Sequence, residues 1–184
     1  GLAGGSLLSV IDSVMLGPLG EIPLAAASLT QSVLVIFYAA LYGLVGAVGI
    51  LTGQAYGAGD RQRVNGILRH GLVIGLAGGL AGALAMISCL FVLPFTGQPE
   101  DVMTAIPLYW IAMSLLLVPF TLTMVVKQLL DSIGRPWTGA ALSVLPVFLN
   151  IPLNWLLIYG NLGFPKLGIA GAGIASLGAF AGGF

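Results

Sequence analysis

The stretch from Ile22 to Gly59, IPLAAASLTQSVLVIFYAALYGLVGAVGILTGQAYGAG, carries no charged side chain. It far exceeds the roughly 20 apolar residues that cross a hydrocarbon layer about 30 Å thick. Backbone groups in lipid must be satisfied within their own segment, and the alternating pattern of a membrane barrel is absent, so the stretch reads as a helix. Outward from it, the charges divide the rest of the chain in the same way. Uncharged runs extend from His70 to Pro99, Val102 to Val126, Pro136 to Pro165 and Leu167 to Phe184, and Gly1 to Gly20 is interrupted only by Asp12. Of the 184 residues, 58% are hydrophobic and 7% charged, and the mean hydropathy is +1.08. A soluble domain carries about 25% charged residues, so this composition cannot cover a water-exposed surface. The chain reads as an integral membrane protein.

Turn chemistry sharpens the boundaries. Gly17-Pro18-Leu19-Gly20-Glu21-Ile22-Pro23 is a tight link, and Thr52 to Gly66, Pro94 to Met103, Lys127 to Thr138 and Gly160 to Gly168 are the other connections. The fold class is therefore all-α, a six-helix transmembrane bundle with helices expected near 2–18, 24–51, 67–93, 104–126, 137–159 and 168–184. Arg61, Arg63 and Arg69 flank the second connection and Lys127 and Arg135 the fourth, against Lys166 alone on the other side. The positive-inside rule then predicts a cytoplasmic N-terminus. Gly1 lies inside an apolar segment and the sixth helix has no exit before Phe184, so a fragment of a longer chain is expected.

Several chemistries are poorly supplied. Six Lys+Arg balance six Asp+Glu, which leaves no basic face for nucleic acid. One cysteine, Cys89, and one histidine, His70, exclude a disulfide scaffold and a cysteine metal cluster and leave little for histidine catalysis. Gly57-Ala58-Gly59 is too short for a phosphate loop. No nucleophile–base pair is visible, and the chain is not expected to be an enzyme.

Polar residues inside the spans carry the functional signal. An aspartate at a helix centre costs about 2.5–3.5 kcal/mol on insertion scales, so Asp12 calls for a cation, a proton or a buried partner. Asn150 and Asn154 stand four apart and share a helix face, and Pro152 frees the carbonyl of Phe148 at the same level. Carboxamide and carboxylate oxygens suit an alkali cation such as Na+ bound by Asp12, Asn150 and Asn154, or a protonatable network; equally, the asparagines can be interhelical hydrogen-bonding glue. At 1.5 Å per residue from the predicted outer ends, Asp12 lies about 7 Å deep, Asn154 about 9 Å, Asn150 about 15 Å and Ser176 about 12 Å. All four fall in the outer half of the layer and meet if helices one, five and six are neighbours. Gln31, Tyr38 and Tyr42 fall near one face of the second helix, as cavity lining or as packing. Gly71, Gly75 and Gly79, with Gly78 and Gly82 beside them, form small-residue rows that predict close helix packing. Pro107 and Pro119 predict kinks in the fourth helix.

Ile11-Asp12-Ser13-Val14-Met15-Leu16-Gly17, the loop TGQAYGAGD from Thr52 to Asp60, LNIPLNWLLIYGNLG from Leu149 to Gly163 and GIAGAGIAS from Gly168 to Ser176 resemble the multidrug and toxic compound extrusion (MATE) family. The resemblance implies one lobe of a twelve-helix, pseudo-symmetric exporter, the N-terminal one, whose partner is the C-terminal six-helix lobe of the same chain. It implies a monomer in the bacterial inner membrane, in contact with lipid. The implied activity is exchange of small organic, often cationic, compounds for Na+ or H+, with no cofactor. Asp12 matches the family's coupling carboxylate, Asn150 and Asn154 its fifth-helix polar pair, and Ser176 its sixth-helix hydroxyl. Some relatives carry aspartate where Asn154 stands here, so this site has one negative charge fewer. Two other readings stay open: a flippase for lipid-linked saccharides, disfavoured because no Lys or Arg lies deep within a predicted span, Arg69 standing at the very start of the third, and a non-transporting membrane scaffold.

Overall fold

A computed structural model of the protein describes residues 10–183. The expected beginning of the first helix near residue 2, and Phe184, lie outside the described residues. Helix α1 comprises residues 10–16 and tightens into a 3-10 turn at Gly17–Leu19. Gly20 takes φ +108° and is the sole break before α2, Glu21–Gly57. Pro18 lies in the 3-10 turn and Pro23 in the first turn of α2, where a missing N–H forfeits no intrahelical bond. Then follow α3 (Arg61–Cys89), α4 (Glu100–Ala105), α5 (Pro107–Ser132), α6 (Pro136–Tyr159) and α7 (Ile169–Gly182). No strand occurs among the described residues.

The helices outrun their apolar cores. The second helix was expected over 24–51 and the third over 67–93, joined by a polar connection from Thr52 to Gly66. Instead α2 and α3 both continue into that connection and leave only residues 58–60 between them. Gly59 supplies a left-handed φ of +74° for the turn. Asp60 caps α3, its Oδ1 accepting the Arg63 backbone N–H at 2.9 Å. Hydropathy marks the membrane rather than the helix, and at 37 residues α2 is about 55 Å long, well beyond the hydrocarbon thickness. The fourth expected helix, 104–126, is likewise shifted. Pro107 opens α5 at its first turn instead of kinking a helix interior, a separate short α4 precedes it, and α5 continues through Pro119 to Ser132.

Four helices, α2, α3, α5 and α6, are long and apolar enough to cross a membrane; α1 and α7 are shorter apolar helices among the described residues. Helix α5 is the centre of the bundle, packed by α2 and α3 on one side and α6 and α7 on the other. The most apolar window of α5 is 67% buried by protein, against 28%, 22% and 33% for α2, α3 and α6, so those three expose most of their apolar faces. Trp110, Met113, Leu117 and Phe120 of α5 form the core with Leu34, Tyr38 and Leu41 of α2. Trp110 also donates its indole N–H to the Met86 carbonyl of α3 at 2.7 Å.

The glycine row of α3 is a contact surface. A Cβ on Gly79 would stand 2.9 Å from Val118 Cα, and one on Gly75 2.9 Å from Val125 Cγ2. Glycine thus sets how near α3 comes to α5, where dispersion rather than the hydrophobic effect holds helices together in lipid. The start of α7 does the same against α6, since a Cβ on Gly171 would meet the Leu157 carbonyl oxygen at 2.4 Å. That close approach carries α7 and its Ser176 onto the face of α6 that bears the asparagines.

Candidate functional site

Most buried hydroxyls of the bundle are satisfied inside their own helices. Thr30, Ser114, Thr121, Thr123 and Ser143 each donate to the carbonyl four residues earlier. A different arrangement joins α1, α6 and α7. Asn154 Nδ2 donates to Asp12 Oδ1 at 2.8 Å and to Asn150 Oδ1 at 2.8 Å. Asn150 Nδ2 donates to Ser176 Oγ at 2.9 Å, and Ser176 Oγ donates to Asp12 Oδ2 at 3.0 Å. The four side chains close a ring, and none is more than 1% exposed. The fourfold spacing of the asparagines presents both amides on one face of α6. Tyr159, one turn further on, donates to the Met15 carbonyl at 2.8 Å and fastens the end of α1 to the same helix.

Two properties set this ring apart from ordinary interhelical bonding. Among the described residues no Lys or Arg pairs with Asp12, the one ion pair being Lys127–Asp131 within α5. A buried carboxylate therefore has neutral donors on both oxygens and no counter-charge of its own. Asn154 Oδ1, also buried, accepts no hydrogen bond among the described residues. An unused amide oxygen beside an uncompensated carboxylate is what a small hard cation or a proton would satisfy. No cluster of three or more His, Cys, Asp or Glu is present among the described residues, so any metal held here would take neutral oxygens alongside Asp12.

The remaining sequence candidates separate. Tyr38 is buried, stacks on Phe120 with ring centroids 4.2 Å apart, and its hydroxyl has no partner among the described residues. Gln31 donates to the Tyr109 hydroxyl at 3.4 Å, and both Tyr38 and Tyr109 are buried. Tyr42 is 39% exposed against 5% for Tyr38, although the two stand four residues apart on α2. The carbonyl that Pro152 leaves without a donor also lies elsewhere, because Phe148 and Pro152 are on the exposed face of α6. Tyr109 was not anticipated. A tyrosine next to Trp110 in a first helical turn has the look of an interfacial belt, and only tertiary packing buries it. The apolar groove between α2 and α3, lined by Leu44, Val48, Leu51 and Ile74 with Arg63 and His70 among them, contains none of these residues.

The MatE family model matches residues 3–156, most of the chain. The chain belongs to the MatE family. Among curated MatE relatives, the "Probable multidrug resistance protein NorM" of Neisseria meningitidis is 30% identical over 176 residues, 94% of this chain and 38% of that protein. The protein of the same name from Chromobacterium violaceum is 33% identical over 171 residues, covering 91% and 36%. Solved MatE-type structures share the fold. An "outward-facing conformation of a multidrug resistance MATE family transporter of the MOP superfamily" superposes with a TM-score of 0.86 at 22% identity, over 99% of this chain and 40% of that one. The Vibrio cholerae MATE transporter VcmN in its bent form gives 0.83 at 26% identity, over 99% and 41%. The chain thus spans less than half the length of these relatives. It is a multi-pass member of a membrane transporter family.

Proposed function

We propose that this segment is the N-terminal, ion-coupling lobe of a secondary active multidrug exporter, completed by a second six-helix lobe in the same polypeptide. The observation that carries this reading is the buried ring of Asp12, Asn154, Asn150 and Ser176, with one carboxylate and, among the described residues, no cationic partner and an unused Asn154 Oδ1. Na+ or H+ enters from the outer side and is held at Asp12 by hard oxygens. Its arrival changes the charge balance of a site shared by three helices, and the two lobes rock to expose an organic, often cationic, substrate outward. Gln31 and Tyr38 line the way to the substrate cavity. The assembly works as a monomer in the bacterial inner membrane with its N-terminus in the cytoplasm, consistent with the basic residues clustered at one end.

The test uses the full-length parent in proteoliposomes with an imposed Na+ or pH gradient. Gradient-driven efflux of a fluorescent organic cation is expected from the wild type and is lost in Asp12→Asn, with the protein still folded. The gradient that drives it identifies the ion. Undiminished efflux by Asp12→Asn sinks the mechanism.

A further inference from the structure

The end of the bundle away from Asp12 holds a second built feature. Tyr56 at the end of α2, Arg61, Val64 and Asn65 in the first turns of α3, and Ile133 and Arg135 in the link before α6 line an open cavity of about 390 Å3. Five of the six basic residues of the chain lie at this end: Arg61, Arg63, Arg69, Lys127 and Arg135. Of the nearby acids, Asp131 pairs through Oδ2 with Lys127 and leaves its buried Oδ1 without a partner among the described residues, and Asp60 Oδ1 accepts the Arg63 backbone N–H. No ion pair involves Arg61 or Arg135 among the described residues. Two guanidiniums, a carboxamide and a phenol around one cavity are donors in search of an anion with several acceptor oxygens, and a phosphate is the group that the guanidinium fork fits.

Depth decides the source of that phosphate. Trp137, two residues beyond Arg135, is 88% exposed, and Tyr56 is 51% exposed. Exposed Trp and Tyr at the end of spanning helices settle at the headgroup level of a bilayer. The cavity therefore opens where lipid phosphates are most concentrated. Its two positive charges would repel an organic cation, so it is no stage on the substrate path.

We propose that this cavity binds the phosphate of an anionic phospholipid headgroup, bridging the α2–α3 turn to the α5–α6 link. The lipid ties together two short links that share no hydrogen bond among the described residues, and it acts as a clamp on the basic end of the lobe. Basic pockets between spanning helices are known devices for holding anionic headgroups.

The experiment measures phosphatidylglycerol retained by the purified full-length parent from mixed phosphatidylcholine–phosphatidylglycerol micelles, read by native mass spectrometry. Arg61→Gln with Arg135→Gln is compared with Arg63→Gln with Arg69→Gln, which removes the same charge from the same end but outside the cavity. Each cavity arginine is expected to contribute roughly fivefold, so the cavity pair loses about 25-fold and the control pair little. Thermal midpoints in phosphatidylcholine alone verify folding; should the cavity pair not fold, Arg135→Gln alone is expected to lose roughly fivefold. Equal losses in both pairs mean diffuse attraction and overturn the site. So does retention of phosphatidylcholine as strong as that of phosphatidylglycerol. Displacement of the lipid by millimolar inorganic phosphate assigns the cavity to a soluble phosphate compound and overturns the lipid reading.

Discussion

Asn154 reaches Asp12 Oδ1 at 2.8 Å across 142 positions of sequence, and with the same Nδ2 group it holds Asn150. The amide is the shared member of the ring, so its removal strands both a carboxylate oxygen and a carboxamide oxygen in a site that water does not reach. Leaving a buried polar group without its partner costs about 1–3 kcal/mol. Asn154→Leu is expected to lower the thermal midpoint of the full-length parent in detergent by that order. Asp12→Asn combined with Asn154→Leu is expected to lose less than the sum of the two, since a neutral amide leaves less to strand. Strictly additive losses would place the two residues in separate environments.

Gly79 touches the backbone of α5, not the tip of a side chain. Gly79→Ala puts a methyl 2.9 Å from Val118 Cα, so the helices must part. Overpacking of this kind costs about 1–3 kcal/mol. Gly43→Ala on α2, which meets nothing within 4 Å, is the matched comparison and is expected to be neutral or to stabilise by up to about 1 kcal/mol. Chemical denaturation of both variants beside the wild type measures the difference.

Trp110→Phe keeps an aromatic ring in the core and removes one donor, that to the Met86 carbonyl. A loss of about 0.5–1.5 kcal/mol is expected from the missing hydrogen bond. Tryptophan fluorescence changes with the substitution, so the midpoint is better read from circular dichroism. A loss well above that range would assign the role of Trp110 to packing volume instead.

Asp60→Ala removes the side-chain cap of α3. The expected cost is about 1 kcal/mol, and it is local: amides at residues 61–64 should exchange faster in hydrogen–deuterium exchange while those in the middle of α5 keep their protection. Uniformly faster exchange would mean that the turn holds the whole bundle.

The sequence marks Asp12, Asn150, Asn154 and Ser176 because a polar group in an apolar run has few ways to be tolerated, and counting residues from the predicted outer ends sets them at similar depth. What depth cannot reveal is azimuth. Tyr38 and Tyr42 share a depth zone and nearly a helix face, yet only Tyr38 turns toward Phe120. The Gln31–Tyr109 contact joins helices far apart in sequence, and although Gln31 stands out in its apolar run, nothing local marks Tyr109 as its partner. Helix ends are illegible for a different reason. The last turn of α2 and the first of α3 lie in polar sequence that reads as loop, and their helical state comes from propagation of a helix already nucleated in the apolar stretch and from the Asp60 cap.

The two links at the basic end are residues 58–60 and 133–135, whereas the opposite end has the longer spans of chain at 90–106 and 160–168. Short links transmit torque and long ones absorb it. If the lobe flexes internally, the basic end behaves as a stiff baseplate and the slack collects at the end that carries Asp12. The ring there joins three helices of which α1 is tied to α2 by only a 3-10 turn and Gly20, so a small change at the carboxylate is passed to the start of a helix about 55 Å long.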